Sequence, residues 1–166
     1  MLRTLTLVLA ALLVMGSAAR ANPMGSRVDG IPCQGVEGTL FHIHAHLAIY
    51  AFGRPVAVPD DVGRPVAAQC LYWLHTHTPD GIIHIESPEF RSFTLGQFFD
   101  VWGQPLSKTA VASARVERSG VAHVWVNGRR YTGELRKIDL TAHADITIEL
   151  GPPFHIPAAF TAWNGQ

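Results

Sequence analysis

The stretch Thr39–Phe52, TLFHIHAHLAIYAF, decides how the chain is read. Phe41, Ile43, Ala45, Leu47, Ile49 and Ala51 alternate with His42, His44, His46, Ala48 and Tyr50. Successive side chains of a β-strand point to opposite faces, so this period of two marks a strand with one face in a core. The other face then carries three histidines in a row, spaced at about 6.5–7 Å along the strand.

A second stretch, Tyr72–Pro88, YWLHTHTPDGIIHIESP, extends the theme. Leu71–Thr78 and Ile82–Ser87 read as two strands joined at Pro79-Asp80-Gly81, a combination rich in turn residues. If Thr78 pairs with Gly81, His75 lies opposite His84, Trp73 opposite Glu86, and His77 opposite Ile82. His75, His77, His84 and Glu86 then share one face, while Tyr72, Leu74, Thr76, Ile83 and Ile85 share the other. A one-residue slip, with Gly81 as a bulge, would send His84 and Glu86 to the opposite side. The first register segregates polar from apolar residues better and is the expected one.

The remaining chain supplies one helix and more strands. Thr94 followed by Gln97 forms a capping box, and Leu95, Phe98, Phe99 and Trp102 make a helical apolar stripe. Gly103 and Pro105 stop it. Asn127-Gly128 within VAHVWVNGRRYTG predicts a type I′ hairpin, and ADITIELG alternates as a strand. Pro152, Pro153 and Pro157 disfavour a central strand in the tail. The expected fold is α+β, a mainly antiparallel sheet with one short helix in a β-grasp-like order; a β-sandwich or a cupin-like barrel is the alternative.

The beginning of the chain reads as an export signal: Arg3, an apolar run from Leu5 to Met15, and Ala19-Arg20-Ala21. Residues 1–21 are expected to be removed before Asn22, leaving no membrane span and placing the protein in the periplasm or outside the cell. Residues 22–38 read as an extended lead-in and 39–166 as one domain; the mature length of about 145 residues suits one core. Without Arg3 and Arg20 the chain carries two more acidic than basic residues, and no basic run interleaves with aromatics. Nucleic acid therefore lacks its electrostatic footprint. Cys33 and Cys70 are the only cysteines; in an oxidising compartment they read first as a disulfide, with Cys70 as a thiolate ligand the alternative.

Six of the nine histidines fall in the two strand stretches. Imidazole and carboxylate donors suit copper or zinc, or else iron or nickel. The candidate metal ligands are His75, His77 and His84, with His42, His44 and His46 completing that site or forming another. Glu86 is a further ligand or a partner that orients an imidazole. His123, His143 and His155 are scattered singly and read as ordinary polar residues. Met24 is the only methionine beyond the leader, which disfavours thioether-rich Cu(I) and blue-copper sites. Asn22 rather than His at the new terminus disfavours an amino-terminal copper brace.

HTHTPD departs from the H-x-H-x-D-H run of metallo-β-lactamase-like hydrolases, since Asp80 is one place late. The chain is too short for the amidohydrolase barrel that opens on H-x-H. HTHTPDGIIHIE is similar to the first cupin motif, with His123 or His143 as a last ligand, but Glu86 follows at a longer gap. G-x-S-x-G, H-E-x-x-H, G-x-G-x-x-G, Walker A and C-x-x-C sequences do not occur.

One resemblance is more specific. Cys70–Ser107, CLYWLHTHTPDGIIHIESPEFRSFTLGQFFDVWGQPLS, together with the upstream H-x-H-x-H strand, resembles an uncharacterised family of exported or membrane-anchored bacterial proteins. Members tend to have Asp or Asn after the second His of HTH, where this chain has Thr78. The resemblance implies an intact structural unit and no mechanism. Three functional expectations follow: a periplasmic protein that buffers or delivers a divalent transition metal, with a periplasmic or membrane protein as recipient; a cupin-like or hydrolytic metalloenzyme on the same ligands; and a metal-free interaction domain that senses pH through its histidines.

Overall fold

The computed structural model describes residues 24–117 and 122–166; the expected leader, 1–21, and its cleavage point before Asn22 lie outside them. The strands in chain order are β1 (Cys33–Gln34), β2 (Phe41–Ala51), β3 (Arg54–Val56), β4 (Leu71–Tyr72), β5 (Leu74–His75), β6 (Ile82–Ser87), β7 (Ala110–Val111), β8 (Ala114–Arg115), β9 (Ala122–Val126), β10 (Arg129–Tyr131) and β11 (Ala144–Leu150). Among the described residues one α-helix, α1 (Leu95–Trp102), stands between β6 and β7. The main sheet runs β10-β9-β11-β2-β6-β5, with β3 added to β2. All its pairings are antiparallel except β2 with β11, which is parallel. Its outer strands β10 and β5 do not pair with each other, so the sheet is open and no barrel closes. The expected α+β, mainly sheet class is the one observed, and the cupin-like barrel is not.

The alternation of β2 is realised as expected. Ala45, Leu47 and Ile49 are buried to within 2 % of complete. They join Ile83 and Ile85 of β6, Leu74 of β5, and Ile146 and Ile148 of β11 in one core. Helix α1 closes that core with Leu95, Phe98 and Phe99. Its capping box is formed by Thr94 and Gln97, and Gly103 ends it at φ +70°. Burying an aliphatic or aromatic side chain is worth about 1.5–3 kcal/mol, so this face dominates the energetics of the sheet. The β9–β10 hairpin turns on Asn127 and Gly128, both at positive φ, as a type I′ turn requires.

The stretch expected as a single strand, Leu71–Thr78, is interrupted at Trp73. Leu71 and Tyr72 pair with the lead-in strand β1, whereas Leu74 and His75 pair with β6. Beyond His75 the ladder ends. The Thr76 N–H donates to the Val62 carbonyl at 3.0 Å and its hydroxyl to the Pro59 carbonyl at 2.8 Å. The 59–62 loop therefore takes the hydrogen bonds that a longer hairpin would have used. Gly81 turns instead toward β2, accepting from the Leu47 N–H at 2.9 Å. Its φ of +83° and its closeness to the Leu47 carbonyl leave no room for a Cβ. The expected Thr78–Gly81 pairing is thus not made, yet His75 still lies opposite His84, as the preferred register requires.

Cys33 and Cys70 are joined in a disulfide, so Cys70 is not a thiolate ligand. The bond ties the lead-in to the segment entering β4, beside the β1–β4 pairing. Closing a loop of 37 residues' separation removes unfolded-state entropy worth about 3–4 kcal/mol in the chain-entropy model. The Cys33→Ser/Cys70→Ser variant should therefore unfold at a clearly lower denaturant midpoint, by about that free energy. Coincident unfolding curves for the variant and the oxidised protein would contradict this.

Candidate metal centre

The face of the sheet opposite the core carries the histidines. Across β2, β6 and β5, His44 lies opposite His84 and His84 opposite His75, so three imidazoles form a row perpendicular to the strands. Glu86 lies opposite His42, one pleat along. His77 follows β5 on the loop toward Pro79.

These side chains converge. His42 Nε2 is 3.1 Å from His44 Nε2, and His44 Nε2 is 3.0 Å from His84 Nδ1. His75 Nε2 is 3.1 Å from His77 Nε2. Glu86 Oε1 sits at the junction, 3.2 Å from His42 Nε2, 3.3 Å from His84 Nδ1 and 3.8 Å from His75 Nε2. Two sets of four could hold a metal ion, His42/His44/His84/Glu86 and His75/His77/His84/Glu86. The donor atoms of each set all lie within 4.8 Å of one another. Metal–imidazole bonds of about 2.0–2.1 Å put neighbouring ligands about 2.8–3.4 Å apart, octahedral to tetrahedral; the five shortest of these contacts, at 3.0–3.3 Å, fall in that range.

The buried residues are the ones at the centre. His75 is fully buried, Glu86 is 4 % exposed, and His44 and His84 are each 8 % exposed. The side chains of His42 and His77 are 50 % and 33 % exposed and form a wet rim. His75 Nδ1 donates to the Tyr72 carbonyl at 2.9 Å, which leaves the Nε2 lone pair facing Glu86 and His77. A backbone carbonyl that fixes the tautomer in this way is the usual support of a metal-ligating histidine.

Burial, and then the neighbouring His84 and His42, pushes the pKa of His44 down from 6.5 to about 4. Burial likewise lowers His75 to about 4, against the opposing pull of Glu86. Burial also lowers His77, with His84 adding to the effect. For Glu86, burial alone would raise the carboxyl. The hydrogen bond with His84 and the charges of His75 and His42 outweigh it and hold the carboxyl below its ordinary value. Near neutral pH His44, His75 and His77 are therefore neutral and Glu86 is a carboxylate, the protonation states in which these groups bind metal.

Of the sequence-predicted ligands, five histidines and Glu86 come together and His46 does not. His46 Nδ1 pairs with Asp145 Oδ1 at 2.9 Å, and its ring stacks on Phe160 at 3.7 Å. The C-terminal segment covers this part of the face. The Phe160 N–H donates to Asp145 at 2.8 Å, and the His155 N–H donates to the Glu149 carboxylate at 3.0 Å. His123 stacks on Phe154, and His143 Nε2 donates to the Gln166 carbonyl. His123, His143 and His155 all stay outside both ligand sets. Glu37, 3.8 Å from His77, is a neighbour that no spacing in the sequence announces, because the disulfide-bound lead-in brings it there. Comparison with protein-family models, curated proteins and solved structures finds no match to this chain.

The depressed pKa values have a consequence for folding. His44 and His75 take up protons near pH 6.5 when unfolded but only near pH 4 when folded. The unfolded chain thus binds more protons between these limits, and stability is lost as pH falls through that window. Denaturant titrations of chelator-treated protein should show the midpoint falling from pH 6.5 toward pH 4. A His44→Phe variant should show a shallower fall. A midpoint independent of pH over this range would show that these imidazoles are not buried as described.

Proposed function

We infer that the protein is an exported metal-binding protein that takes up a divalent transition metal, copper or zinc, on the histidine face of its sheet. The observation that carries this reading is the convergence of ring nitrogens and one buried carboxylate at 3.0–3.3 Å. Ring nitrogens and a carboxylate oxygen at these separations can direct several lone pairs at a single cation. The donor set, nitrogen with one oxygen and no thiolate or thioether, suits divalent copper or zinc best. The disulfide supports an oxidising compartment, and the leader-like beginning of the chain supports export. In that setting the protein buffers the metal or passes it to a periplasmic or membrane protein. The half-exposed His42 and the part-exposed His77 provide the edge from which an ion enters and leaves.

A metal-free pH-sensing role fits less well. It needs imidazoles that titrate near 6.5, and two of the three buried ones, His44 and His75, are held near 4.

The test is metal analysis of protein exported to the periplasm of an expression host, alongside the His75→Ala/His77→Ala variant. The wild type should carry copper or zinc. The variant should lose at least the roughly 10–100-fold in affinity that even outer partners of a metal site contribute. Equal metal content in the two would remove these residues as ligands, and a metal-free wild type that zinc and copper do not stabilise against heat would remove the reading itself.

A further inference from the structure

The six converging residues do not close into one group. Two ligands on opposite sides of a single ion are separated by about 4.2 Å, twice a metal–nitrogen bond. Each set of four approaches this limit, all its donor atoms lying within 4.8 Å, but the union of the two sets does not form such a group. One ion therefore cannot take His42, His44, His75, His77, His84 and Glu86 together. What the sets share is His84 and Glu86, and they differ by the H-x-H pair that each strand contributes.

On this basis, and resting on the metal-binding reading above, the geometry points to a dinuclear centre: two divalent ions bridged by the Glu86 carboxylate. A ring nitrogen serves one ion. His84 Nδ1 is the nitrogen 3.0 Å from His44 Nε2, so it belongs to the first position with His42 and His44. The second position has His75 and His77, whose Nε2 atoms are 3.1 Å apart. Glu86 reaches both: its Oε1 lies 3.2 Å from His42 Nε2 on one side and 3.8 Å from His75 Nε2 on the other. The same oxygen, Oε1, stands between the two groups, so the carboxylate would bridge through it or turn its second oxygen to one of the ions, which in two-metal sites sit about 3.5–4 Å apart.

The two positions are unequal. The first has three imidazoles and a carboxylate oxygen, a full tetrahedral set. The second has two imidazoles and one carboxylate oxygen, which leaves a coordination position for water or an outside ligand. That position belongs to the half whose His77 is part-exposed, with the Glu37 carboxylate 3.8 Å from its ring nitrogen. A closed position beside an open one predicts one tightly held ion and one exchangeable ion.

The experiment is zinc titration of the chelator-treated full-length exported protein, read by calorimetry and by elemental analysis. The wild type should bind two equivalents, the first more tightly. His77→Ala should keep the tight equivalent and lose the weaker one. His42→Ala should weaken the tight equivalent by tenfold or more. Both residues lie on the exposed rim, so circular dichroism should show both variants folded. Loading with two equivalents of Cu²⁺ should broaden or diminish the electron paramagnetic resonance signal relative to one equivalent, through coupling of nearby spins. A Glu86→Gln variant, if folded, should bring the signal back toward that of isolated ions. One equivalent of zinc in the wild type, weakened alike by His42→Ala and His77→Ala, would overturn the dinuclear centre while leaving the metal-binding reading intact. No binding at all would overturn both.

Discussion

Three imidazoles stand in one row because β2, β6 and β5 share a single register. His44 faces His84, and His84 faces His75. On the reverse of the same ladder Ala45 faces Ile83, while Ile43 and Leu74 both face Ile85. A slip of one residue between β2 and β6 would exchange the two faces and put histidines into the core under α1. Each large apolar side chain so displaced costs about 1.5–3 kcal/mol, against about 0.5–1.5 kcal/mol for a typical hydrogen bond. The hydrophobic face therefore sets the register, and the position of every candidate ligand on the other face follows from it.

The interruption of the hairpin serves the same site. In a regular strand, side chains two residues apart stand about 6.5–7 Å from one another. The rings of His75 and His77 are 4.8 Å apart, with their nitrogens at 3.1 Å. His77 can lean this far because the ladder stops at His75 and Thr76 is held by the 59–62 loop. On β2, where the ladder is complete, His42 and His44 still lean together, to 4.7 Å between rings, drawn toward Glu86 and His84. Burying a carboxylate is costly without compensation; here the His84 and His42 nitrogens, 3.3 and 3.2 Å from its Oε1, provide it.

Much of this was legible in the sequence because it depends on local rules. The alternation of Phe41–Ala51, the Thr94/Gln97 capping box, the Asn127-Gly128 turn and the bounds Ile82–Ser87 are written in neighbouring residues. So was the pairing of Cys33 with Cys70, given only two cysteines and an export-like leader. His42, His44 and His46 on one stretch, and His75, His77, His84 and Glu86 on the other, were legible as two groups because period two tells which side chains share a face. The end of the hairpin at His75 was not legible: it depends on Val62 and Pro59 taking the hydrogen bonds of Thr76, a contact across a loop. The departure of His46 was hidden for a like reason. Nothing near His46 in sequence announces Asp145 or Phe160, which reach it only through the parallel pairing of β11 with β2 and the return of the tail.

The sequence by itself therefore determined which residues alternate, where the helix begins and ends, and which donor types line one side of the sheet. Those properties follow from backbone geometry and from side-chain preferences within a few residues. Only the tertiary structure decided that the histidines of β2 and those of the Tyr72–Pro88 stretch meet around Glu86, that they fall into two sets, and that His46 joins neither. Those outcomes depend on which strands lie side by side. That choice is made by burying one shared apolar face under α1, a cooperative event that no single stretch of the chain encodes.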